Sequence, residues 1–343
     1  MGDRKIKCVV WDLDNTIWDG VLTEDKNVHL KDGVVDIIKE LDKRGILQSI
    51  ASKNNFTETM EKLKEFDIDE YFIYPEINWN PKSSNIKNIA KSINISLDTI
   101  AFIDDQEFEL EEVKYGAKEV LTISSSELNN ILDMDELNPK FITEDSKNRR
   151  MLYMTDIKRN NNEKEFEGTS EEFLSSLGLK FTVGKVKQDD LKRAEELTVR
   201  THQLNATGYT YSYEELEDFS KLDNYEVLIA ELSDKFGTYG KIGLALVEKL
   251  EKEWTLKLML MSCRVMSRGV GSVLLNHIKN KAKEANVDLK AEFVPTDRNK
   301  IMYITYKFGG FEEVDKKDGI IYFKSDYTKC TAMPNYITFH EEI

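Results

Sequence analysis

The chain has 343 residues, 40% of them hydrophobic and 32% charged, with a formal net charge of −15 at pH 7; this is the make-up of a globular protein long enough for two domains. The acidic surplus disfavours a nucleic-acid partner, which needs a basic face, and no stretch approaches the roughly 20 apolar residues of a membrane-spanning helix, so neither nucleic acid nor membrane is expected as a partner. Three scattered cysteines, Cys8, Cys263 and Cys330, suit neither a disulfide framework nor a zinc cluster; with a start that lacks the apolar core of a signal peptide, they predict a cytoplasmic chain.

In chain order, the apolar run from Ile6 to Trp11 ends in Asp12 and Asp14, followed by Thr16. A short apolar run bounded by polar residues reads as a buried strand of a parallel sheet. Ligands of open α/β sheets bind beyond the carboxyl ends of such strands. Two carboxylates two residues apart repel unless a cation or a shared proton lies between them. The pair points to Mg²⁺-dependent phosphoryl transfer, with Asp12 as nucleophile and Asp14 as general acid/base; the plain alternative is a solvated turn at a strand end.

After a loop or small hairpin, Val34, Val35, Ile38 and Leu41 predict a helix over 32–44 that Gly45 stops. Strands are expected at 47–52, 71–74, 99–105 and 119–123, and helices at 55–66, 81–93 and 107–115, the second of these opened by Pro81. Strands alternating with helices imply a doubly wound parallel α/β sheet over residues 1–135. Its strand ends would bring Asp12, Asp14, Ser52, Lys82, Asp104 and Asp105 to one edge. There a phosphate would meet a hydroxyl, an ammonium and a metal held by carboxylates, with the Asp14 backbone carbonyl as a further ligand.

These motifs, DLDNT (12–16), Ser52, Lys82 and FIDD (102–105), resemble those of the haloacid dehalogenase phosphatase superfamily. The resemblance implies an aspartyl-phosphate on Asp12, Asp14 as acid/base, and Thr16, Ser52 and Lys82 as phosphate-binding residues. It also implies Mg²⁺ bound by Asp12, Asp14, Asp104 and Asp105.

Residues 136–175 are polar, with a basic cluster of Lys147, Arg149, Arg150, Lys158 and Arg159. The cluster reads as a solvated linker helix or as a docking face for an acidic partner. From 176 to 343 the pattern changes: a strand at 180–186, helices at 189–204 and 211–221, then three successive strands at 225–234, 239–250 and 253–263. Such a run implies an antiparallel meander. A helix at 270–285 and further segments at 288–294, 300–311 and 319–325 complete an α+β domain. Cys263 is expected to end the last meander strand beside Arg264, Arg268 and a helix amino terminus, a setting that favours thiolate; the alternative is a small buried hydrophobe. Cys8 and Cys330 read as inert.

This order resembles the GNAT acyltransferase fold, with SRGVGSVLL (267–275) in the position of its pyrophosphate-binding turn. Together the halves resemble the FkbH-like family of polyketide pathways, through WDLDNTIWDGVL (11–22), NWNPKSSNI (78–86), RTHQLNATGYTYS (200–212) and MSCRVMSRGVG (261–271). That resemblance implies a glyceryl unit taken from 1,3-bisphosphoglycerate, a phosphorylated three-carbon molecule, held as a thioester on Cys263 and passed to an acyl carrier protein. Asp12 with Mg²⁺ would remove the remaining phosphate ester. Gln203, Asn205, Arg264, Arg268, Gly269 and Gly271 would hold the acyl or pantetheine group. His202 stands where the glyceryl-transfer members have asparagine, and reads as a general base near the thioester or as a satisfied core histidine. Two other functions fit the residues: a stand-alone small-molecule phosphatase whose second domain binds acyl-CoA or scaffolds it, and a carrier-protein-binding adaptor.

Overall fold

The computed structural model describes residues 4–25, 27–329 and 332–342. The chain divides into two compact units, Met1–Met154 and Thr155–Ile343. The division falls inside a helix, so the polar stretch 136–175 is shared between the units instead of forming a segment of its own.

In the first unit the run CVVW forms β1 (Cys8–Trp11), with all four residues buried. A two-stranded hairpin, β2 (Trp18–Asp19) and β3 (His29–Leu30), follows. Helix α1 (Val34–Lys43) buries Val34, Ile37, Ile38 and Leu41 along one stripe. Then come β4 (Leu47–Ser52), α2 (Phe56–Glu65), β5 (Glu76–Ile77), α3 (Lys82–Ile93), β6 (Ile100–Asp104), α4 (Glu107–Gly116), β7 (Leu121–Ser124) and the short α5 (Glu144–Lys147). The sheet runs β5-β4-β1-β6-β7, and its pairings are parallel. The chain therefore moves out from β1 to β5, then returns to place β6 on the other side of β1. Strand order reverses between β1 and β6, the place where a crevice opens beyond the strand ends.

The strand expected at 71–74 is absent. Phe72 makes only an isolated bridge to Gln48, and Tyr74 has φ 50°, a left-handed conformation that breaks an extended run. The edge strand forms after it, at β5.

The second unit continues α6 (Arg149–Glu165) into α7 (Ser170–Leu177), β8 (Leu179–Lys185), α8 (Leu191–Arg200), α9 (Tyr213–Lys221), β9 (Tyr225–Asp234), β10 (Gly237–Lys249) and β11 (Glu253–Met261). It is completed by α10 (Val270–Glu284), β12 (Asp288–Phe293), α11 (Lys300–Phe308), β13 (Phe311–Lys317), β14 (Ile320–Ser325) and β15 (Ile337–Glu341). The eight strands run β13-β14-β12-β11-β10-β9-β8-β15. The expected meander is β9–β10–β11, antiparallel throughout. Its middle strand carries the run LALV because both faces are covered. Leu244 and Leu246 pack with Leu191, Ala194 and Leu197 of α8, while Ala245 and Val247 pack with Val270, Val273 and Leu274 of α10. Strand β15, parallel to β8, was not expected; its residues are at most half-buried, so it has no apolar run to mark it. Among the described residues no helix is long and apolar enough to cross a membrane.

Two members of the basic cluster, Arg150 and Arg159, are engaged within the fold. Arg150 pairs with Asp42 at 3.0 Å and Glu70 at 3.2 Å. Arg159 is fully buried. It donates to both oxygens of Asp234, at 2.8 and 2.9 Å, and to Asp156 at 2.8 Å, and its guanidinium lies 3.6 Å from the centroid of the Tyr239 ring. Charges this deep persist only when fully paired. Arg159→Leu leaves Asp234 buried without its cation and should cost about 3–5 kcal/mol. Denaturant unfolding followed by Trp254 fluorescence checks this; a loss under about 1 kcal/mol would contradict a buried pair.

Candidate active site

Sheet topology brings the first group of predicted residues together. Asp12 follows β1, Asp104 ends β6, and Lys82 opens α3. All three side chains are buried. Lys82 Nζ donates to Asp12 Oδ1 and, at 3.0 Å, to Asp104 Oδ2. Burial raises the Asp12 carboxyl; Lys82 opposes this and Asp104 adds to it, with the result that it is pushed up to about 7. Burial acts to lower the Lys82 ammonium, but the two carboxylates beside it carry it above its usual range. Asp105 is also raised, by burial and then by the adjacent Asp104.

Oxygens of Asp12, Asp104 and Asp105 lie within 4.8 Å of one another. Asp105 Oδ1 is buried without a hydrogen-bond partner, as is Thr16 Oγ1. Three carboxylates share the buried Lys82, with Lys31 acting on Asp105 as well, and the remaining excess of negative charge in a low-dielectric site favours a cation.

Asp14 faces a different environment. Its Oδ1 accepts from the Trp18 indole at 2.8 Å and the Leu22 amide at 3.0 Å. Its Oδ2 accepts from Asn54 Nδ2 at 2.9 Å. The Asp14 carboxylate is thus absent from the acidic cluster because both oxygens are already held, and the expected contribution of its backbone carbonyl is a separate matter. Ser52 ends β4, buried, with its Oγ 3.3 Å from Asn54 Nδ2. Trp18 and Asn54 are positioning residues that reading the sequence did not single out. The signal for Asn54 is its place two residues beyond Ser52; Trp18 reaches Asp14 only through the turn into β2.

The second group is more dispersed in role. Cys263 does not end β11, which stops at Met261; it opens a 3₁₀ turn, Cys263–Arg268, and is half-buried. The guanidiniums beside it serve internal partners. Arg264 donates to the Tyr239 carbonyl at 2.6 Å and lies 3.7 Å from Asp156. Arg268, buried, donates to Glu163 at 3.0 Å. Gly269 has φ 73° and a Cβ there would fall 2.6 Å from the Tyr336 hydroxyl, whereas Gly271 has ordinary room. Cys8 is fully buried, and burial pushes its thiol far up, the inert state expected of it. Cys330 lies outside the described residues.

Asn205 is buried and closes its own turn, accepting from the Thr207 and Gly208 amides at 3.1 and 2.9 Å and donating to the Tyr209 carbonyl. Its side-chain oxygen is thus taken up by the turn. Strands β11 and β12 pair only from Glu253–Asp288 to Leu256–Ala291. Beyond that they part, and Ala206 bridges the gap: its amide donates to the Met259 carbonyl at 3.0 Å and its carbonyl accepts from the Val294 amide at 3.0 Å. The Met261 amide donates to the Leu204 carbonyl, and Asn205 bridges Leu260 in antiparallel sense. The pairing stops there: residues 202–204 form a turn, the Ser262 amide donates to the Ile242 carbonyl at 2.6 Å, and Gln203 is half-buried. His202 is exposed, which rules out the core-histidine reading.

Residues 17–123 match the family model described as haloacid dehalogenase-like hydrolase, a span that starts immediately after Thr16. No curated protein matches the chain. Among solved structures, the N-terminal part of BF1531 from Bacteroides fragilis, containing a phosphatase domain complexed with Mg, is 28% identical over 40% of this chain and 41% of that chain, with a TM-score of 0.35. The present chain therefore spans less than half of that structure. The ribosomal-protein-S18-alanine N-acetyltransferase from Escherichia coli is 18% identical over 45% of this chain and 97% of that one, with a TM-score of 0.35. The GNAT domain of S. lividans PAT is 19% identical over 42% and 89%, with a TM-score of 0.34. The sequence match and the strand-end carboxylates fall in the same unit: residues 17–123 form a haloacid dehalogenase-like hydrolase domain.

Proposed function

We propose that the chain is a bifunctional enzyme in which Asp12 performs phosphoryl transfer and Cys263 carries an acyl group. The observation that supports this most directly is the buried arrangement of Asp12, Asp104 and Lys82, with Asp105 within 4.8 Å. Mg²⁺ fits the donor set, which is all oxygen and includes the unpartnered Asp105 Oδ1. Asp12, Asp104 and Asp105 would hold it, and when bound it would offset the negative charge that builds on the phosphoryl oxygens.

The protein's own groups do the rest. Asp12 attacks phosphorus and the ester oxygen leaves, taking a proton from Asp14. The Trp18 and Asn54 contacts hold Asp14 in place for that transfer and for the later removal of a proton from the water that attacks the aspartyl-phosphate. Lys82 meets the phosphoryl oxygens, and the Ser52 hydroxyl orients them. In the second unit the Cys263 thiolate attacks the carbonyl of an acyl phosphate, forming the thioester as the C–O bond to phosphate breaks. His202, which is exposed, takes the thiol proton. The substrate proposed is 1,3-bisphosphoglycerate, the acceptor an acyl-carrier-protein thiol, and the setting polyketide-type biosynthesis in the cytoplasm.

A stand-alone phosphatase is the second reading, favoured by the contacts of Arg264 and Arg268 with Tyr239, Asp156 and Glu163.

Intact mass after incubation with Mg²⁺ and 1,3-bisphosphoglycerate separates the two. A glyceryl adduct is expected on the parent and none on Cys263→Ala; phosphate release without an adduct on the parent would leave the phosphatase alone. Asp12→Asn should lower phosphate release by about a thousandfold or more, measured as inorganic phosphate; activity within about tenfold of the parent would remove Asp12 as nucleophile.

A pH effect follows from the raised Asp12 carboxyl, which lies near 7 against an ordinary 3.8. A raised folded-state value contributes stability that is complete below the unfolded value and is lost as pH rises through the folded one. The metal-free protein thus loses this contribution between about pH 4 and pH 7. Mg²⁺ competes with the same proton, so its stabilisation should be larger at about pH 8 than at about pH 5.5. Thermal melts with Mg²⁺ and with chelator check this; equal shifts at both pH values would contradict proton–metal competition.

A further inference from the structure

The second unit contains a pocket of about 380 Å³ whose apolar floor is Val183, Leu228, Val247 and Ile278, with Trp254 and His277 also in its lining. None of the residues assigned to phosphoryl or acyl transfer lines it. A volume of this size suits a small organic molecule.

His277 gives the pocket its one buried polar side chain. It is only 6% exposed, and its ring packs 5.2 Å from that of Phe339, centroid to centroid. No hydrogen bond to its ring nitrogens is made by any described residue. Burial holds the imidazole below its ordinary range; Glu341 opposes this and Lys281 reinforces it. Burial thus disfavours the charged ring, and the neutral form offers one donor and one acceptor nitrogen. These nitrogens are not among the solvent-excluded atoms that lack a partner, so they remain open to water, which a ligand hydroxyl or carbonyl could replace.

The rim is charged but already neutralised. Glu226 pairs with Lys185 at 3.3 Å and with Lys249 at 2.5 Å. Lys281 pairs with Glu341 at 2.8 Å, and Glu342 with Lys187 at 3.1 Å. The Lys249 ammonium also sits 4.4 Å from the Trp254 ring centroid. A charged ligand would have to break one of these pairs and bring its own charge out of water. An uncharged one meets neither cost.

We propose that this pocket binds an uncharged, mainly apolar small molecule whose single hydroxyl or carbonyl group hydrogen-bonds His277. Its apolar body covers Val183, Leu228, Val247 and Ile278, and the Trp254 ring offers a flat face for an aromatic body.

The test uses the full chain labelled with ¹³C at histidine rings and isoleucine methyls, titrated separately with phenol, benzene and benzoate. Phenol should shift the His277 and Ile278 resonances saturably. Benzene should bind about five- to tenfold more weakly, the worth of one hydrogen bond, and benzoate more weakly than phenol. In His277→Phe, which keeps a ring in place, phenol should fall to the affinity of benzene, read at the Ile278 methyl. The comparison of the three probes in the parent needs no variant. Absence of any saturable shift with phenol would overturn the site. Equal affinity for phenol and benzene would overturn the role of His277, and tighter binding of benzoate would overturn the uncharged class.

Discussion

The first unit depends on one ammonium shared between two carboxylates. Lys82 bridges Asp12 and Asp104, and all three are buried. Two anions at neighbouring strand ends in a low-dielectric setting repel strongly, and neither would stay ionised alone. Lys82 makes the pair tolerable, and the opening of α3 delivers it there. Three segments far apart in the chain are thereby tied to one point, at the place where the sheet order reverses. One ammonium does not neutralise this group once Asp105 is counted, so the architecture is complete without being electrically balanced.

Two carboxylates two residues apart have been given different surroundings, and surroundings assign roles. Asp12 looks into the ionic cluster. Asp14 is turned away toward the Trp18 indole, the Leu22 amide and Asn54. The turn between them carries Asn15 at φ 53°, a conformation asparagine tolerates better than most residues, and its side chain accepts the Gly20 amide at 3.1 Å. The same turn leads into β2 and so brings Trp18 back onto Asp14. The left-handed turn and the Trp18 indole thus make one device: they hold two neighbouring carboxylates in different surroundings.

The parallel unit was legible in the sequence because its signals are local. Apolar runs mark β1, β4 and β6, helical spacing marks α1, and the carboxylates and Ser52 sit at strand ends where the topology gathers them. What escaped was set by contacts across the chain. Tyr74 breaks the expected strand through its backbone, which its residue type does not announce. Trp18 and Asn54 look like an apolar and a polar residue until the fold aims both at Asp14. In the second unit Arg159 reads as surface charge and proves fully buried, because its partners Asp234 and Tyr239 are strands away. Arg264 and Arg268, adjacent to Cys263 in sequence, are drawn to Tyr239, Asp156 and Glu163 instead. Sequence proximity to a thiol is thus a poor guide to which charges act on it.

The sheet of the second unit shows how backbone hydrogen bonding constrains the chemistry there. Where β11 and β12 part beyond Leu256 and Ala291, each would expose a row of unpaired amides and carbonyls. Ala206 meets one partner on each side, Met259 and Val294, so the gap is closed by the chain itself. This insertion does two things. It satisfies backbone groups that an incoming amide-bearing ligand would otherwise pair with, and it holds Asn205 against Leu260 near the end of β11.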